Sequence, residues 1–410
     1  MPSRLLLNHR TSVLPVTAAP SSDVHLFHRR LPGYAPTPLR DVPALAEACG
    51  VGRVLVKEES SRLGLPSFKI LGASWATYRG LCARLGGEPD WTTLEELAVV
   101  VARRLGPLRL VTASDGNHGR AVAHMARLLH LSATILVPEG TAAARVEAIA
   151  SEGAEVVEVP GTYDDAVTIS AEMAGEGDLL VSDTSWPGYD DLPRRVVEGY
   201  TTIFTEVDAD LEAGVDGVGL DEQGGDPSPA GEGVVVAGGG LEVPDPLALD
   251  VVVVPLGVGA LGAAAGVSWR AGLEPGDGPL LVGVEPLTAA CVAAAVEAGH
   301  VVEVPGPHRS IMAGLNCGLA SMVALPTVQA TFEALVAVDD DTCRRAVRAH
   351  AGAGMDLGET GAAALAGLLA VVEEHRDELP LPAGANVLLL ATEGVTDPVG
   401  FERIVGRPPR

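Results

Sequence analysis

LRLVTASDGNHGRAVAHMARLLHLSATILVP, residues 108–138, carries the pattern that decides the fold. LRLVT (108–112) is a short Leu/Val run and reads as a buried strand. The segment from Gly119 to His130 is rich in Ala and reads as a helix, and ATILVP (133–138) is a second strand. Buried parallel strands are continuous apolar runs, whereas half-exposed antiparallel strands alternate polar and apolar. The same alternation continues with a helix at 141–153, a strand at 154–160, a helix at 164–175 and a strand at 178–183. A second series holds strands at 250–257, 280–286, 332–338 and 385–392, with helices at 263–272, 287–299, 341–350 and 361–375 between them. Strand–helix repetition of this texture predicts an α/β protein with mostly parallel sheets flanked by helices. Two series predict two lobes: a large one from 1–75 and 190–410, and a small one at 76–189.

Between the two series the text changes. From Glu206 to Asp250 there are twelve Asp or Glu and no Lys, Arg or His. Such a segment buries too little apolar surface to offset the entropy of ordering it, so about 208–246 is expected to be a flexible acidic insertion. Over the whole chain of 410 residues, 47% are hydrophobic, which excludes global disorder. The formal net charge of −26 repels phosphate backbones and anionic lipid, so neither nucleic acid nor membrane is expected as a partner. The N-terminal MPSRLLLNHRTSVLP has a run of three Leu where a secretory signal needs roughly 7–15 apolar residues. The five cysteines are scattered, without CxxC or zinc-finger spacing, and His118 and His124 lie on different helix faces. A soluble cytoplasmic protein without a metal site is expected.

Five segments can carry chemistry. The chain has only two lysines, Lys57 and Lys69; Arg fills every other basic position. Arg stays charged at any usable pH, whereas a desolvated Lys can act as a nucleophile or form a Schiff base. Lys69 sits between Phe68 and Ile70-Leu71, an apolar setting that suits such a role, although a surface lysine at a helix start also fits. Lys57, with acidic neighbours, reads as an ion-paired residue at a strand end. TASDGNHGRA (112–121) follows a strand and opens a helix. It is either an anion site built from free N–H groups with Asn117 and His118 as donors, or an Asx turn with an N-cap. Gly257, Gly259 and Gly262 form a GxGxxG after another strand. That loop suits a single phosphate, a structural turn, or a dinucleotide with Glu285 as the ribose acid. Thr392, at the end of the LLLAT strand, stands where α/β proteins meet ligands, or caps a helix. Asp183, in VSDTSWPGYDD (181–191), is an acid–base group or a turn cap.

Taken together and in this order, these segments resemble the fold type II, tryptophan synthase β-like family of pyridoxal-phosphate enzymes. Within it KEESSRLGLPSFKILGASWA (57–76), SDGNHGRA (114–121), SDTSWPGYDDLPRRVVEGY (182–200) and TEGVTDP (392–398) are most similar to the diaminopropionate ammonia-lyase family. The resemblance covers about residues 57–405, apart from the insertion. It implies pyridoxal 5'-phosphate as cofactor, with Lys69 forming its Schiff base and Asn117 bonding its 3'-oxygen. The amides of Gly257, Val258, Gly259, Ala260 and Leu261 would hold its phosphate, and Thr392 would face the pyridine nitrogen. Asp115 and Asp183 would be the acid–base groups flanking an amino-acid substrate, with Ser114 and His118 also binding it. The implied reaction is elimination of ammonia from 2,3-diaminopropionate, or a related β-substituted amino acid, by a homodimer. Three features depart from the pattern: the acidic insertion, Thr360 where the family tends to carry Ser, and Glu58 in place of Asp.

Competing expectations are a threonine/serine dehydratase or β-replacement enzyme on the same cofactor, a nicotinamide oxidoreductase using the 257–262 loop with Glu285, and a non-catalytic amino-acid sensor. The last has no use for a Schiff-base lysine.

Overall fold

The computed structural model describes residues 2–15, 19–114, 116–214 and 247–410. Asp115 and residues 215–246, most of the expected insertion, lie outside them. The insertion was placed too early, because the helix Asp191–Ala213 runs through its first residues. Buried Glu206 and Leu211 hold that stretch against the body of the protein, which a reading of charge alone does not register.

Among the described residues eleven strands form two sheets. The smaller is wholly parallel, built from β4 (Arg109–Ala113), β5 (Ser132–Pro138), β6 (Glu155–Val159) and β7 (Asp178–Leu180) in the order β6-β5-β4-β7. The larger has β3 (Arg53–Glu58), β8 (Val251–Pro255), β9 (Leu280–Pro286), β10 (Ala334–Val338) and β11 (Asn386–Ala391) as its parallel interior. Two short strands, β1 (Arg4–Leu7) and β2 (Leu39–Asp41), close its edges antiparallel to β10 and β3. Every residue of β8 and β10 is buried, which is why those strands read as unbroken apolar runs. The Leu run at the N-terminus is thus an edge strand.

Helices cover both sheets. The helix Lys69–Leu85 crosses Asp191–Ala213 at very close range. A Cβ at Gly72 would lie 2.5 Å from the Tyr200 ring, and one at Gly199 would lie 2.5 Å from the Leu71 carbonyl oxygen. Only glycine permits that contact. It fixes the first turn of the Lys69 helix, with Phe68 edge-on to Tyr200 at 4.7 Å between ring centroids. Among the described residues, no helix is long and apolar enough to cross a membrane.

Candidate active site

In parallel α/β sheets ligands meet the chain beyond the carboxyl ends of the strands. Here the ends of β4, β7, β8 and β11 converge on one cavity. Lys69, Ser114, Asn117, His118, Asp183, the loop 257–261 and Thr392 all line it. Every described residue to which the family resemblance gives a role is therefore brought together. Asp115 is the exception, since it lies outside the described residues.

Lys69 is the first residue of its helix and reaches Asp183 with Nζ 2.7 Å from Oδ2. Asp183 follows β7 in a loop shaped by stacked Trp186 and Tyr189, whose ring centroids are 4.4 Å apart. The Tyr189 hydroxyl donates to the Leu180 carbonyl oxygen at 2.7 Å and accepts from the Ser182 N–H at 3.0 Å. That clamp sets where Asp183 points. Its second oxygen accepts from the Tyr163 hydroxyl at 2.8 Å, and His118 Nδ1 lies 4.0 Å from Oδ2. Burial alone pushes the Asp183 carboxyl up. The Lys69 ammonium and His118 outweigh it and hold the carboxyl well below the usual range. His118 is lowered by its own burial, against the pull of Asp183, and its Nε2 donates to the Val181 carbonyl oxygen at 2.7 Å.

Ser114 orders the loop around Asn117. Its Oγ accepts from the N–H groups of Gly116 and Gly119, at 2.9 and 2.8 Å. Among the described residues the turn is thus held by Ser114, and the helix N-cap, Gly116, makes no side-chain cap. Asn117 begins the helix Asn117–Leu128, and its amide donates to Glu393 across the boundary between the two sheets. Thr392 donates to the Thr360 carbonyl oxygen at 3.2 Å, so its hydroxyl belongs to the cavity wall rather than to a helix cap.

The glycine loop fits a phosphate. Gly259 stands at φ +96°, the left-handed region, and turns the chain into the helix Ala260–Arg270. The bond from Ala263 N–H to the Gly259 carbonyl opens the helical ladder, so the N–H groups of the turn before it have no helical acceptor. A Cβ at Gly257 would sit 3.1 Å from the Gly314 carbonyl oxygen. Free N–H groups and a helix dipole at the cavity floor suit an anion, with the Lys69 amine in the same cavity. These donors fit a phosphorylated aldehyde: an anion cradle at one end and a primary amine at the other.

Glu285 excludes the dinucleotide alternative. Its two oxygens accept from the N–H groups of Val292 and Ala293, at 2.7 and 2.8 Å. Burial pushes its carboxyl up to about 8, against those two bonds. The acid caps the helix Cys291–Ala298 from inside the fold and does not line the cavity, so it cannot meet a ribose. Among the described residues no cluster of metal-ligating side chains occurs. Lys57 is ion-paired as expected, but with Glu206 of a distant helix, at 3.0 Å, rather than with its acidic neighbours in sequence.

Tyr163 and Glu393 are polar wall residues that the sequence reading does not single out. Tyr163 starts the helix after β6, the same position that Asn117 takes after β4. That parallel was a usable signal. Glu393 follows Thr392 and has its carboxylate buried. Nothing local marks it.

The family model for "Pyridoxal-phosphate dependent enzyme" matches residues 30–393. The chain is 31% identical to the diaminopropionate ammonia-lyase of Salmonella typhimurium over 400 residues, covering 93% of this chain and 91% of that protein. It is 31% identical to the Escherichia coli enzyme of the same name, over 92% of this chain and 89% of that one. The solved E. coli structure with an aminoacrylate–PLP azomethine intermediate superposes with a TM-score of 0.82 at 27% identity, covering 99% and 97% of the two chains.

Proposed function

The chain belongs to the pyridoxal-phosphate-dependent enzymes, in the diaminopropionate ammonia-lyase family, and on that premise we propose its reaction and the residues that perform it. It converts 2,3-diaminopropionate and water to pyruvate and two molecules of ammonia by α,β-elimination; a related β-substituted amino acid would give pyruvate, one ammonia and its own β leaving group. The observation that carries this reading is the Lys69–Asp183 pair, 2.7 Å apart, in the same cavity as the glycine cradle.

Pyridoxal phosphate, when bound, supplies the electron sink that spreads the charge left at Cα. Lys69 Nζ would anchor it covalently, the amides of Gly257 to Leu261 would hold its phosphate, Asn117 would meet its 3'-oxygen, and the neutral hydroxyl of Thr392 would face its ring nitrogen. Lys69 Nζ would take the Cα proton of one enantiomer. Asp183 Oδ2 then balances the ammonium so formed. Asp183 also offers an anion to the second amine of the substrate, with Ser114 and His118 beside it. An Asp on the opposite face would serve the other enantiomer.

The same proposal assigns 1–75 and 190–410 to a cofactor-binding lobe and 76–189 to a small lobe. In its support, all four strands of the smaller sheet fall between 109 and 180. It also places the enzyme in the cytoplasm as a homodimer. All five cysteines are free and buried, in keeping with a reducing compartment.

The test compares absorbance of the wild type and Lys69→Ala, followed by pyruvate release from 2,3-diaminopropionate, serine and threonine. A visible Schiff-base band present in the wild type and lost in the variant supports the cofactor assignment. Faster turnover of serine or threonine overturns the substrate. The E. coli relative has been solved with D-serine, so both serine enantiomers belong in the assay.

A further inference from the structure

Glu393 and Arg145 face each other across the boundary between the sheets. Arg145 belongs to the helix Ala143–Ser151 of the smaller sheet, and Glu393 follows β11 of the larger one. Both are buried, with side chains 9% and 1% exposed. Arg145 Nη2 donates to Thr396 Oγ1 at 3.2 Å and stands 3.9 Å from Glu393 Oε1. Among the described residues, neither buried Arg145 Nε nor buried Glu393 Oε1 has a hydrogen-bond partner. The other oxygen of Glu393 takes the Asn117 amide. The backbone of Glu393 is bridged to Ser67, and the Gly394 N–H donates to the Pro66 carbonyl oxygen at 2.9 Å, so the residue is held beside the segment that runs into Lys69.

Charge makes this pair more than packing. The groups facing Glu393 include Glu359, from the loop before the helix Ala363–Glu374, and the Cys343 thiol. Glu359 in turn faces Asp397. Burial, then Glu393 and Asp397, push the Glu359 carboxyl up, and Arg145 opposes them. Among the described residues, Arg145 is the one cation within 4 Å of Glu393.

We propose that Arg145 is a positioning residue: its guanidinium holds the Glu393 carboxylate, which in turn fixes the Asn117 amide against the cofactor. The inference rests on the cofactor reading above, through Asn117. Arg145 itself does not line the catalytic cavity. Without its charge, the buried carboxylates of Glu359 and Glu393 and the half-buried one of Asp397 share one region with their repulsion unopposed, and Glu393 holds Asn117 less firmly.

The experiment titrates cofactor-free wild type, Arg145→Met, Arg145→Lys and Glu393→Gln with pyridoxal phosphate, and follows the visible band of each loaded protein from pH 6 to 9. Arg145→Met should weaken cofactor binding by about tenfold or more, the scale of a charge-assisted hydrogen bond. It should also add a pH-dependent change in the band that is absent from wild type and from the Arg145→Met/Glu393→Gln double variant. Arg145→Lys should recover most of the affinity. Glu393→Gln, nearly isosteric, should weaken binding severalfold with no new pH dependence. Wild-type affinity and an unaltered band in Arg145→Met, with only a lower melting temperature, overturn the proposal. So does wild-type affinity in Glu393→Gln, should Arg145→Met not fold. A wild-type protein that binds no cofactor overturns the underlying reading and this one with it.

Discussion

Glu206→Gln tests what delivers Lys69 to the cavity. Arg62, in the loop that runs into Lys69, is fully buried and grips Glu206 with two nitrogens, at 2.6 and 2.7 Å. Lys57 Nζ lies 3.0 Å from the same carboxylate, the Tyr34 hydroxyl donates to it at 2.8 Å, and the Thr37 N–H at 3.2 Å. Arg62 also reaches Glu59, at 2.6 Å. Burial alone raises the Glu206 carboxyl, but the Arg62 contacts and Lys57 overcome it and bring it from 4.5 down to about 2. A depression of that size corresponds to about 3 kcal/mol at 1.36 kcal/mol per unit. The folded-state value lies below the unfolded one. The stabilisation is therefore complete well above pH 4.5 and is lost as pH falls towards 2.

Urea unfolding of the cofactor-free protein should show Glu206→Gln less stable by about 3 kcal/mol at pH 7. Removing one member of a buried ion network typically costs about 3–5 kcal/mol, because the cations left behind are uncompensated. For a chain of 410 residues that is a melting shift of about 3–4 °C. The gap should narrow by about 1 kcal/mol at pH 3.5, where the unfolded wild-type carboxylate is largely protonated while the folded one stays ionised. A gap below 1 kcal/mol at pH 7, or one that stays constant as pH falls, refutes the reasoning. The network would then be replaceable packing.

Three further outcomes follow from the site. Tyr163→Phe removes one hydrogen bond to a buried carboxylate, and should lower kcat/KM for diaminopropionate by about tenfold while the visible band stays intact; steady-state kinetics beside a spectrum checks both. Gly259→Val forces a β-branched residue to φ +96°, so cofactor affinity should fall by about tenfold or more in a titration of the cofactor-free protein. Burial pushes the Cys49 thiol up to about 11 and Cys343 higher still, so a thiol-specific chromogenic reagent at pH 8 should label fewer than one cysteine per native chain and all five after unfolding.

What the sequence determined by itself is local. Parallel strands buried on both faces must be continuous apolar runs, so the alternation after residue 107 is legible without a structure. A glycine loop between strand and helix, a lysine where arginine serves everywhere else, and polar residues just past strand ends are legible for the same reason: each needs only its immediate neighbours. The tertiary structure alone decided which distant groups meet. Glu206 pairs with Lys57 and Arg62 because two glycines let helices Lys69–Leu85 and Asp191–Ala213 approach closely. Tyr163 reaches Asp183, and Arg145 faces Glu393, across contacts that no spacing encodes. Glu285 shows the reverse case: its place in a familiar pattern suggested a ribose, and burial against a helix start gave it a structural partner instead. Charge and hydrogen bonding act over a few ångströms in space, and only the folded chain sets those distances.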